Sequence, residues 1–290
     1  MNNKKVSLIL EGGGARCSFT AGVLDYFIEK QLEFPLTIAA SSSAFVGINY
    51  INSQFKRILS TVLNKSYLDI KKDKHAHADT IDMFAYLNNL DNLLTEYDFE
   101  GFLESNKTLL ISTTDLITGE NIFFNANKSN NYTELLKLIA AASSHPDVAK
   151  PVSINYFKYY SGSCSSRIPI LESLKRGYNK SVVVLTRPID HIMESVDYNS
   201  ETLDMLDKYK SFLHTAYNTH KNYNDTKTYL QYMESHKDVV VICPKKEAIQ
   251  HEFDFNYSRI LIQYNEGYSA AKAAYIDIQN LTNKKENWYG

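Results

Sequence analysis

The chain has 290 residues, of which 44% are hydrophobic, and its 31 basic and 33 acidic side chains give a net charge of -2. This balance argues against a nucleic-acid-binding protein, which is usually basic, and the length suits one large domain or a domain with a helical appendage. The three cysteines are odd in number and far apart, so the pattern indicates neither a disulfide framework nor a zinc site. Reduced thiols favour a cytoplasmic protein.

The first ten residues contain two lysines before a short apolar run, as the start of a signal peptide does. The run ends at Glu11 and a glycine cluster, with no small-residue cleavage site, so we do not predict a signal peptide. No window approaches the roughly 20 apolar residues of a membrane span. We expect a cytoplasmic protein, and a peripheral contact with a membrane is compatible with this sequence.

Two short apolar runs open the chain, Val6–Leu10 and Phe34–Ala39, and both are predicted to be buried strands. Each is followed by apolar residues at helical intervals, which predict helices at Ser18–Gln31 and Ala44–Ile51. Strands that alternate with helices indicate a mainly parallel sheet with helices on both faces. The fold class predicted is therefore α/β, with a helical C-terminal region.

The rest of the chain continues this alternation after a polar, mostly helical stretch at 55–105. Gly177 follows one of the helices and is predicted to cap its C-terminus. The predicted strands are Thr108–Thr113, Glu120–Phe124, Pro151–Tyr160, Ser181–Thr186 and Asp238–Cys243; the predicted helices are Tyr132–Ala142, Pro169–Arg176, and those near 201–214, 222–236 and 258–280, the last with Gly267 inside it.

A glycine-rich loop, Glu11–Arg16, lies at the first strand-to-helix junction. Glycines there let backbone N–H groups approach a ligand, and the helix dipole favours negative charge. Such a loop can bind phosphate, stabilise an oxyanion, or simply form a tight turn. A dinucleotide fingerprint is absent, because Cys17 stands where the third glycine would be needed.

The second junction carries three serines, Ser41–Ser43. A nucleophile elbow normally has the pattern G-x-S-x-G, in which small flanking residues relieve crowding at a strained serine between strand and helix. Here the residues that flank Ser41 are Ala39 and Ser43, the next smallest choices. Taken alone, the segment is more typical of a serine-rich helix start than of an elbow.

Together, the Gly-Gly-Gly-x-Arg loop and the serine junction resemble the patatin-like phospholipase family, and most closely its bacterial acyl hydrolase branch. The resemblance extends over roughly residues 5–190 and fades afterwards. It implies a patatin-like core at 1–190 and, at 191–290, a helical C-terminal extension with one further strand, packed on the same domain. The further stretches that carry it are Phe19–Asp25, Tyr50–Gln54, Thr114–Gly119, Ile168–Ile170 and Val182–Pro188.

The family uses a serine–aspartate dyad on acyl esters such as phospholipids, without a metal or a cofactor. The resemblance therefore implies that Ser41 is the nucleophile and that a lipid or other acyl ester, not a nucleic acid, is the partner. Arg16 would brace the loop or meet an anionic head group. The residues of the implied oxyanion loop are Gly12, Gly13, Gly14, Ala15 and Arg16, with the backbone N–H groups of Gly13, Gly14 and Ala15 as donors.

The sequence departs from the family at the aspartate of the dyad, where Ser161 stands. A hydroxyl does not accept a proton at neutral pH, so Ser161 cannot be the general base, and Ser41 is a weak nucleophile without one. Loss of one member of such a unit costs about 10⁴ to 10⁶ in rate. His145 or Asp147, in a loop that borders the active site in the family, is a candidate surrogate base; the alternative is that both are ordinary loop residues.

Two further motifs have a functional and a structural interpretation. The segment from His75 to Asp79 contains two histidines and an aspartate, but a solvated loop in which Asp79 caps a helix explains it better than a metal site. Cys17 beside Arg16 at a helix start is either a thiol of lowered pKa or a small packing residue.

Three functions are compatible with these residues. The first is a serine lipid acyl hydrolase that is weak or inactive. The second is a pseudoenzyme that binds a lipid or acyl group, and the third is a scaffold protein with a vestigial pocket. Ser161 favours the last two, whereas the presence of Ser41 and of the Gly12–Arg16 loop argues against the scaffold.

Overall fold

The computed structural model describes residues 6–57, 59, 98–251, 254 and 256–283. Within this part of the chain, helices flank both faces of one eight-stranded sheet. The strands are β1 (Val6–Leu10), β2 (Leu36–Ala40), β3 (Thr108–Asp115), β4 (Asn121–Asn125), β5 (Val152–Ile154), β6 (Phe157–Ser161), β7 (Lys180–Val184) and β8 (Val239–Ile242). The helices are α1 (Cys17–Glu29), α2 (Ser43–Ile51), α3 (Phe99–Glu104), α4 (Tyr132–Ser143), α5 (Ile170–Lys175), α6 (Ser200–Leu206), α7 (Lys210–Tyr217), α8 (Thr219–Ser235) and α9 (Tyr257–Asn283).

The strand order is β5-β6-β3-β2-β1-β7-β8, and β4 also pairs with β3. Five neighbouring strands are parallel to one another: β3, β2, β1, β7 and β8. Strands β4 and β6 pair antiparallel with β3, and β5 pairs antiparallel with β6. The mainly parallel α/β fold predicted from the sequence is confirmed. Because the carboxyl ends of β1, β2 and β7 meet at one edge, the loops that follow these strands come together there.

Alternating side chains of the strands fill two cores, one on each face of the sheet. Leu10 and Ala39 face a core that α1, α2, α4 and α9 complete. Ile9 and Ile38 face the opposite core, to which α5 and α8 contribute. Among the helices that the structure describes, none combines the length and the apolar character needed to cross a membrane.

Helices α1 and α9 cross in backbone contact, and glycine makes this possible. A Cβ atom on Gly22 would lie 2.0 Å from the carbonyl oxygen of Tyr264, and one on Gly267 would lie 2.0 Å from that of Phe19. Near the crossing, the Tyr264 hydroxyl donates a hydrogen bond of 2.6 Å to Asp25 Oδ2. The glycine that the sequence places inside a helix is therefore a packing residue.

Two element predictions are corrected by the structure. The single strand predicted at Pro151–Tyr160 is a hairpin, because Asn155 and Tyr156 turn the chain with positive φ values of 48° and 70°. The single helix predicted near 201–214 is two helices, because the chain turns after Leu206 so that α6 and α7 both pack on one small core. The C-cap prediction is confirmed, since Gly177 follows α5 with a φ of 82°.

Candidate active site

Ser41 lies at a sharp turn between β2 and α2, and its φ of 55° is rare for a residue with a side chain. The flanking Ala39 and Ser43 are fully buried, so larger residues would not fit there. A Cβ on Gly12 would lie 2.5 Å from Ser41 Cβ and 2.9 Å from the carbonyl oxygen of Ala40. The glycine-rich loop and the serine turn are therefore in direct contact, in the geometry of a nucleophile elbow.

The amides of the glycine-rich loop converge beside Ser41, but on a neighbouring side chain. Gly14 N–H donates a hydrogen bond of 2.7 Å to Ser42 Oγ, and Gly13 N–H donates a longer one of 3.4 Å to the same oxygen. Gly14 has a φ of 58°, which favours glycine at this position. Two amides that converge on one oxygen can stabilise an oxyanion, and here the Ser42 hydroxyl takes that place.

Small polar side chains fill the space around the Ser42 hydroxyl. Cys17 Sγ lies 3.1 Å from Ser42 Oγ and 3.3 Å from Ser43 Oγ, and the Ser43 hydroxyl donates to the carbonyl oxygen of Glu11. Burial raises the pKa of the Cys17 thiol, although the hydrogen bonds from the two serines oppose the shift. These contacts support the interpretation of Cys17 as a packing residue.

Arg16 is only 2% exposed and braces the loop from inside. Its Nη1 donates a hydrogen bond of 3.2 Å to the carbonyl oxygen of Gln250. Gln263, on α9, reaches the Arg16 carbonyl oxygen at 3.5 Å. Of the two roles predicted for Arg16, bracing the loop is the one that these contacts support.

Ser161 ends β6 on the same edge of β3 that β2 occupies. β2 pairs with β3 up to Ser112, β6 continues the pairing from Thr113 with Ser161 opposite it, and β4 lies on the other edge. Gly162 follows in close contact with β3, since a Cβ atom there would lie 2.0 Å from Ser112 Oγ. The register thus brings the position of Ser161 next to the turn that carries Ser41.

The Ser161 side chain contacts its own loop, while its backbone contacts the loop after α4 and strand β3, from which Thr114 Oγ1 donates to the Ser161 carbonyl oxygen at 2.8 Å. Ser161 Oγ lies 2.9 Å from Ser163 Oγ and 3.3 Å from Ser163 N, and Ser161 N–H donates a hydrogen bond of 2.6 Å to the Ser144 carbonyl oxygen. The Ser41 hydroxyl has no hydrogen-bond partner among the residues that the structure describes. In this part of the chain, no carboxylate or imidazole receives the Ser41 proton.

His145 and Asp147 pair with each other in the loop after α4. His145 Nδ1 lies 3.4 Å from Asp147 Oδ2, and the imidazole stacks on the ring of Tyr198 with the centroids 6.3 Å apart. Their role as a surrogate base stays a prediction. The segment from His75 to Asp79 lies outside the described residues, and within those residues no group of three or more acidic, histidine or cysteine side chains could hold a metal ion.

A family model described as Patatin-like phospholipase matches residues 8–174, which is more than half of the chain. The chain belongs to the patatin-like phospholipase family. The family inferred from the two junctions is thereby confirmed. A second model, a domain of unknown function (DUF6363), matches residues 209–283, which include α8 and α9.

Two known proteins resemble this chain. The uncharacterized protein YjjU from Escherichia coli (strain K12) is 26% identical over 192 residues, which are 63% of this chain and 52% of YjjU. The chain thus spans about half the length of this relative. The crystal structure of VipD from Legionella pneumophila superposes with a TM-score of 0.50 over 93% of this chain and 66% of VipD; at 11% identity, this shows the fold alone.

Glu11, which the sequence places in the glycine-rich loop without a role of its own, is 1% exposed and links this loop to the segment that follows β7. Its Oε2 accepts a hydrogen bond of 2.6 Å from Thr186 N–H, while the Thr186 hydroxyl donates to the Gly12 carbonyl oxygen at 3.0 Å. Burial raises the pKa of the Glu11 carboxyl, and the Thr186 hydrogen bond opposes the shift. A charged residue directly after an apolar strand is the signal that could have identified it.

Helix α8 also reaches the site, although it lies far along the chain in the region of unknown function. Thr219 Oγ1 donates a hydrogen bond of 3.1 Å to the Ser163 carbonyl oxygen at the start of the helix. Further along, Tyr223 is buried beside Glu11, and Lys227 Nζ donates to the His191 carbonyl oxygen. The C-terminal region therefore forms one wall of the site.

Proposed function

We propose that this chain is a patatin-type serine acyl hydrolase of low turnover that acts on lipid esters. The observation that carries the proposal is the elbow itself, in which Ser41 has a positive φ and Gly12 lies against it. A strained turn of this kind is kept only when the surrounding structure holds it, and it presents a serine hydroxyl at the tip of a strand. The acyl hydrolase chemistry of the family agrees with this arrangement.

The chemistry would follow the acyl-enzyme route. Ser41 Oγ attacks the ester carbonyl carbon, and solvent water, a poor base, takes its proton as the carbonyl oxygen becomes negatively charged. The Ser42 side chain first changes its χ1 rotamer, which moves Oγ away from the loop amides. The amides of Gly13, Gly14 and Ala15 then donate to the oxyanion. Expulsion of the alcohol leaves an acyl-Ser41 ester, which water then hydrolyses.

Turnover is low in this proposal because nothing accepts the Ser41 proton efficiently. Ser161 occupies the position that the resemblance assigns to the aspartate, and a hydroxyl is not a base at neutral pH. Oxyanion stabilisation and substrate binding alone leave a rate enhancement of roughly 10³ to 10⁴ over the uncatalysed reaction in water. The chain is thus proposed to combine an intact elbow with a deficient dyad.

A second candidate function is the binding of a lipid or acyl group without turnover. The observation that favours it is the hydrogen bond from Gly14 N–H to Ser42 Oγ, which occupies one of the amides that would serve as an oxyanion donor. Mass spectrometry of lipids that copurify with the protein separates this binder from a scaffold with a vestigial pocket. This second proposal includes a cytoplasmic location and peripheral binding of the protein to a membrane surface, where its lipid ligand would be found.

We expect p-nitrophenyl esters to be hydrolysed far below the ordinary range of roughly 1–10³ s⁻¹. A fluorophosphonate probe should nevertheless label Ser41 slowly, because the elbow presents its hydroxyl. Labelling is read by mass spectrometry of the modified peptide, with Ser41→Ala as the unlabelled control. Turnover within the ordinary range would contradict the deficient dyad, and His145→Ala and Asp147→Ala would then identify the base.

Ser42→Ala is expected to accelerate fluorophosphonate labelling of Ser41 by about tenfold, because it frees the Gly13 and Gly14 amides for the developing oxyanion. One such donor typically contributes about 10² to 10³ in rate. The expected gain is smaller, because in the wild-type chain the Ser42 side chain can already move away from the amides by changing its rotamer. The matched control is Ser43→Ala, which removes a neighbouring hydroxyl but leaves both amides on Ser42. Equal labelling rates in the two variants would show that Ser42 does not limit the site.

A further inference from the structure

Arg167, in the loop between β6 and α5, is a largely buried cation that makes no hydrogen bond or ion pair with the residues that the structure describes. The residue is 8% exposed, and its Nε is inaccessible to water. A guanidinium carries five N–H donors and stays charged. Because an unpaired buried charge is strongly unfavourable, this arrangement points to a ligand that supplies the acceptors.

The surroundings of Arg167 place it beside the candidate active site. Its neighbour in the chain, Ile168, packs in the same core as Ile9, which lies two residues before Glu11. The positive charge of Arg167 acts on the Glu11 carboxyl, the Tyr223 hydroxyl and the Tyr198 hydroxyl, which agrees with this placement. Glu11 directly precedes Gly12, which is in contact with Ser41. An anion held by Arg167 would therefore lie between the carboxyl edge of the sheet and helix α8, next to the elbow.

Other cations strengthen the positive potential there. Arg187 hydrogen-bonds to His191 Nε2 and lies 3.5 Å from Glu247 Oε1, and Lys227 donates to the His191 carbonyl oxygen. These two side chains have partners, so they contribute charge, whereas Arg167 offers hydrogen-bond donors. The nearby carboxylates are Glu11 and Glu247, together with the exposed Asp190; the cations that face Glu11 are Arg16, Arg167, Arg187 and Lys227.

We propose that Arg167 binds a phosphate-type oxyanion beside the elbow. A planar guanidinium matches two oxygens of a phosphate with parallel hydrogen bonds. The group belongs either to the head group of a phospholipid or to a free phosphate compound, which share this chemistry. The inference deepens the proposed acyl hydrolase function and rests on it for the lipid source. Binding of the anion itself needs no turnover.

The test measures binding to the full chain by calorimetry, in a Ser41→Ala background that prevents hydrolysis. The probes are dihexanoyl phosphatidate, neutral dihexanoylglycerol, glycerol phosphate and inorganic phosphate. We expect Arg167→Gln to weaken binding of the phosphorylated probes by about tenfold or more, the loss typical of a hydrogen bond to a charged group. The matched control is Arg176→Gln, since Arg176 is an exposed arginine paired with Glu172, and it should bind like its parent.

Thermal unfolding without ligand distinguishes a binding residue from a structural one. Because Arg167 makes no hydrogen bond or ion pair with the described residues, Arg167→Gln should leave the Tm unchanged or raise it. The substitution should also remove the Tm increase that a phosphorylated probe produces. Arg167-dependent binding of phosphatidate alone supports a lipid head group, and equal binding of glycerol phosphate or phosphate supports a free compound. No Arg167-dependent binding of any probe would overturn the proposal, as would a large drop in Tm with binding unchanged. If the wild-type chain shows no Ser41-dependent esterase activity while Arg167-dependent binding is intact, only the proposed function is contradicted.

Discussion

Ser161→Asp is expected to raise esterase activity by about 10²-fold, and more clearly in combination with Ser163→Gly. A carboxylate within hydrogen-bond reach of Ser41 accepts its proton, and a positioned base is worth about 10² to 10⁴ in rate. The register supports the position, because Ser161 continues the edge of β3 that β2 leaves at Ser112. Removal of the Ser163 hydroxyl, now 2.9 Å from Ser161 Oγ, frees the new carboxylate to turn towards Ser41.

The gain is expected at the lower end of that range, since Ala39 and Ser43 replace the glycines that normally flank the nucleophile. Small errors of geometry cost about 10²-fold. Hydrolysis of p-nitrophenyl esters is the measurement, and Ser161→Asp with Ser41→Ala is the control for contaminating esterases. A rise that survives the loss of Ser41 would contradict the dyad argument. No rise in a folded variant would favour the lipid-binding pseudoenzyme.

Gly267→Ala is expected to lower the free energy of unfolding by about 3 kcal/mol. The added Cβ would lie 2.0 Å from the carbonyl oxygen of Phe19, and backbone atoms cannot move aside as the end of a side chain does. Overpacking of this kind typically costs about 1–3 kcal/mol, and the collision is with backbone, so we place this site at the upper end. Alanine is the better helix former by about 1 kcal/mol, which makes the sign of the effect a test of the contact. Urea unfolding provides the measurement.

The matched control is Ser269→Ala, which changes an exposed residue of the same helix and should alter stability by no more than about 0.5 kcal/mol. Gly22→Ala tests the same crossing from α1, with a Cβ 2.0 Å from the Tyr264 carbonyl oxygen. Because both glycines serve one contact, the effects of the two variants should not add. A Gly267→Ala protein as stable as the wild type would show that the helices do not cross in backbone contact.

Local patterns predicted most of the fold. Val6–Leu10 is a strand with the predicted bounds, and the helices and strands around Ser41 and at residues 108–125 differ from the prediction by a few residues at most. The misses have a physical cause. At Asn155 and Tyr156 two residues reverse the chain without glycine or proline, so a single asparagine is the one turn signal within the apparent strand.

The candidate site was predictable only where a local motif carries it. The glycine loop and the serine after β2 are such motifs, because a strand-to-helix turn has its own residue requirements. The contact between Glu11 and Tyr223 was not predicted, because the buried carboxylate and the helix that covers it are more than 200 residues apart in the sequence. No pattern of period 2 or 3.6 records a contact over that distance.

Local sequence patterns predict the alternation of strands and helices, the two junctions at Gly12–Arg16 and Ser41, and the family to which they belong. That Ser161 stands at the position of the family's aspartate is a prediction from the resemblance. These features depend on backbone periodicity and turn chemistry, which neighbouring residues dictate. The folded structure adds that the Ser42 hydroxyl accepts hydrogen bonds from the loop amides, that α8 packs against the site, and that Arg167 is buried without a hydrogen-bond partner among the described residues. Those contacts depend on how distant segments pack, because burial and pairing are properties of the assembled core.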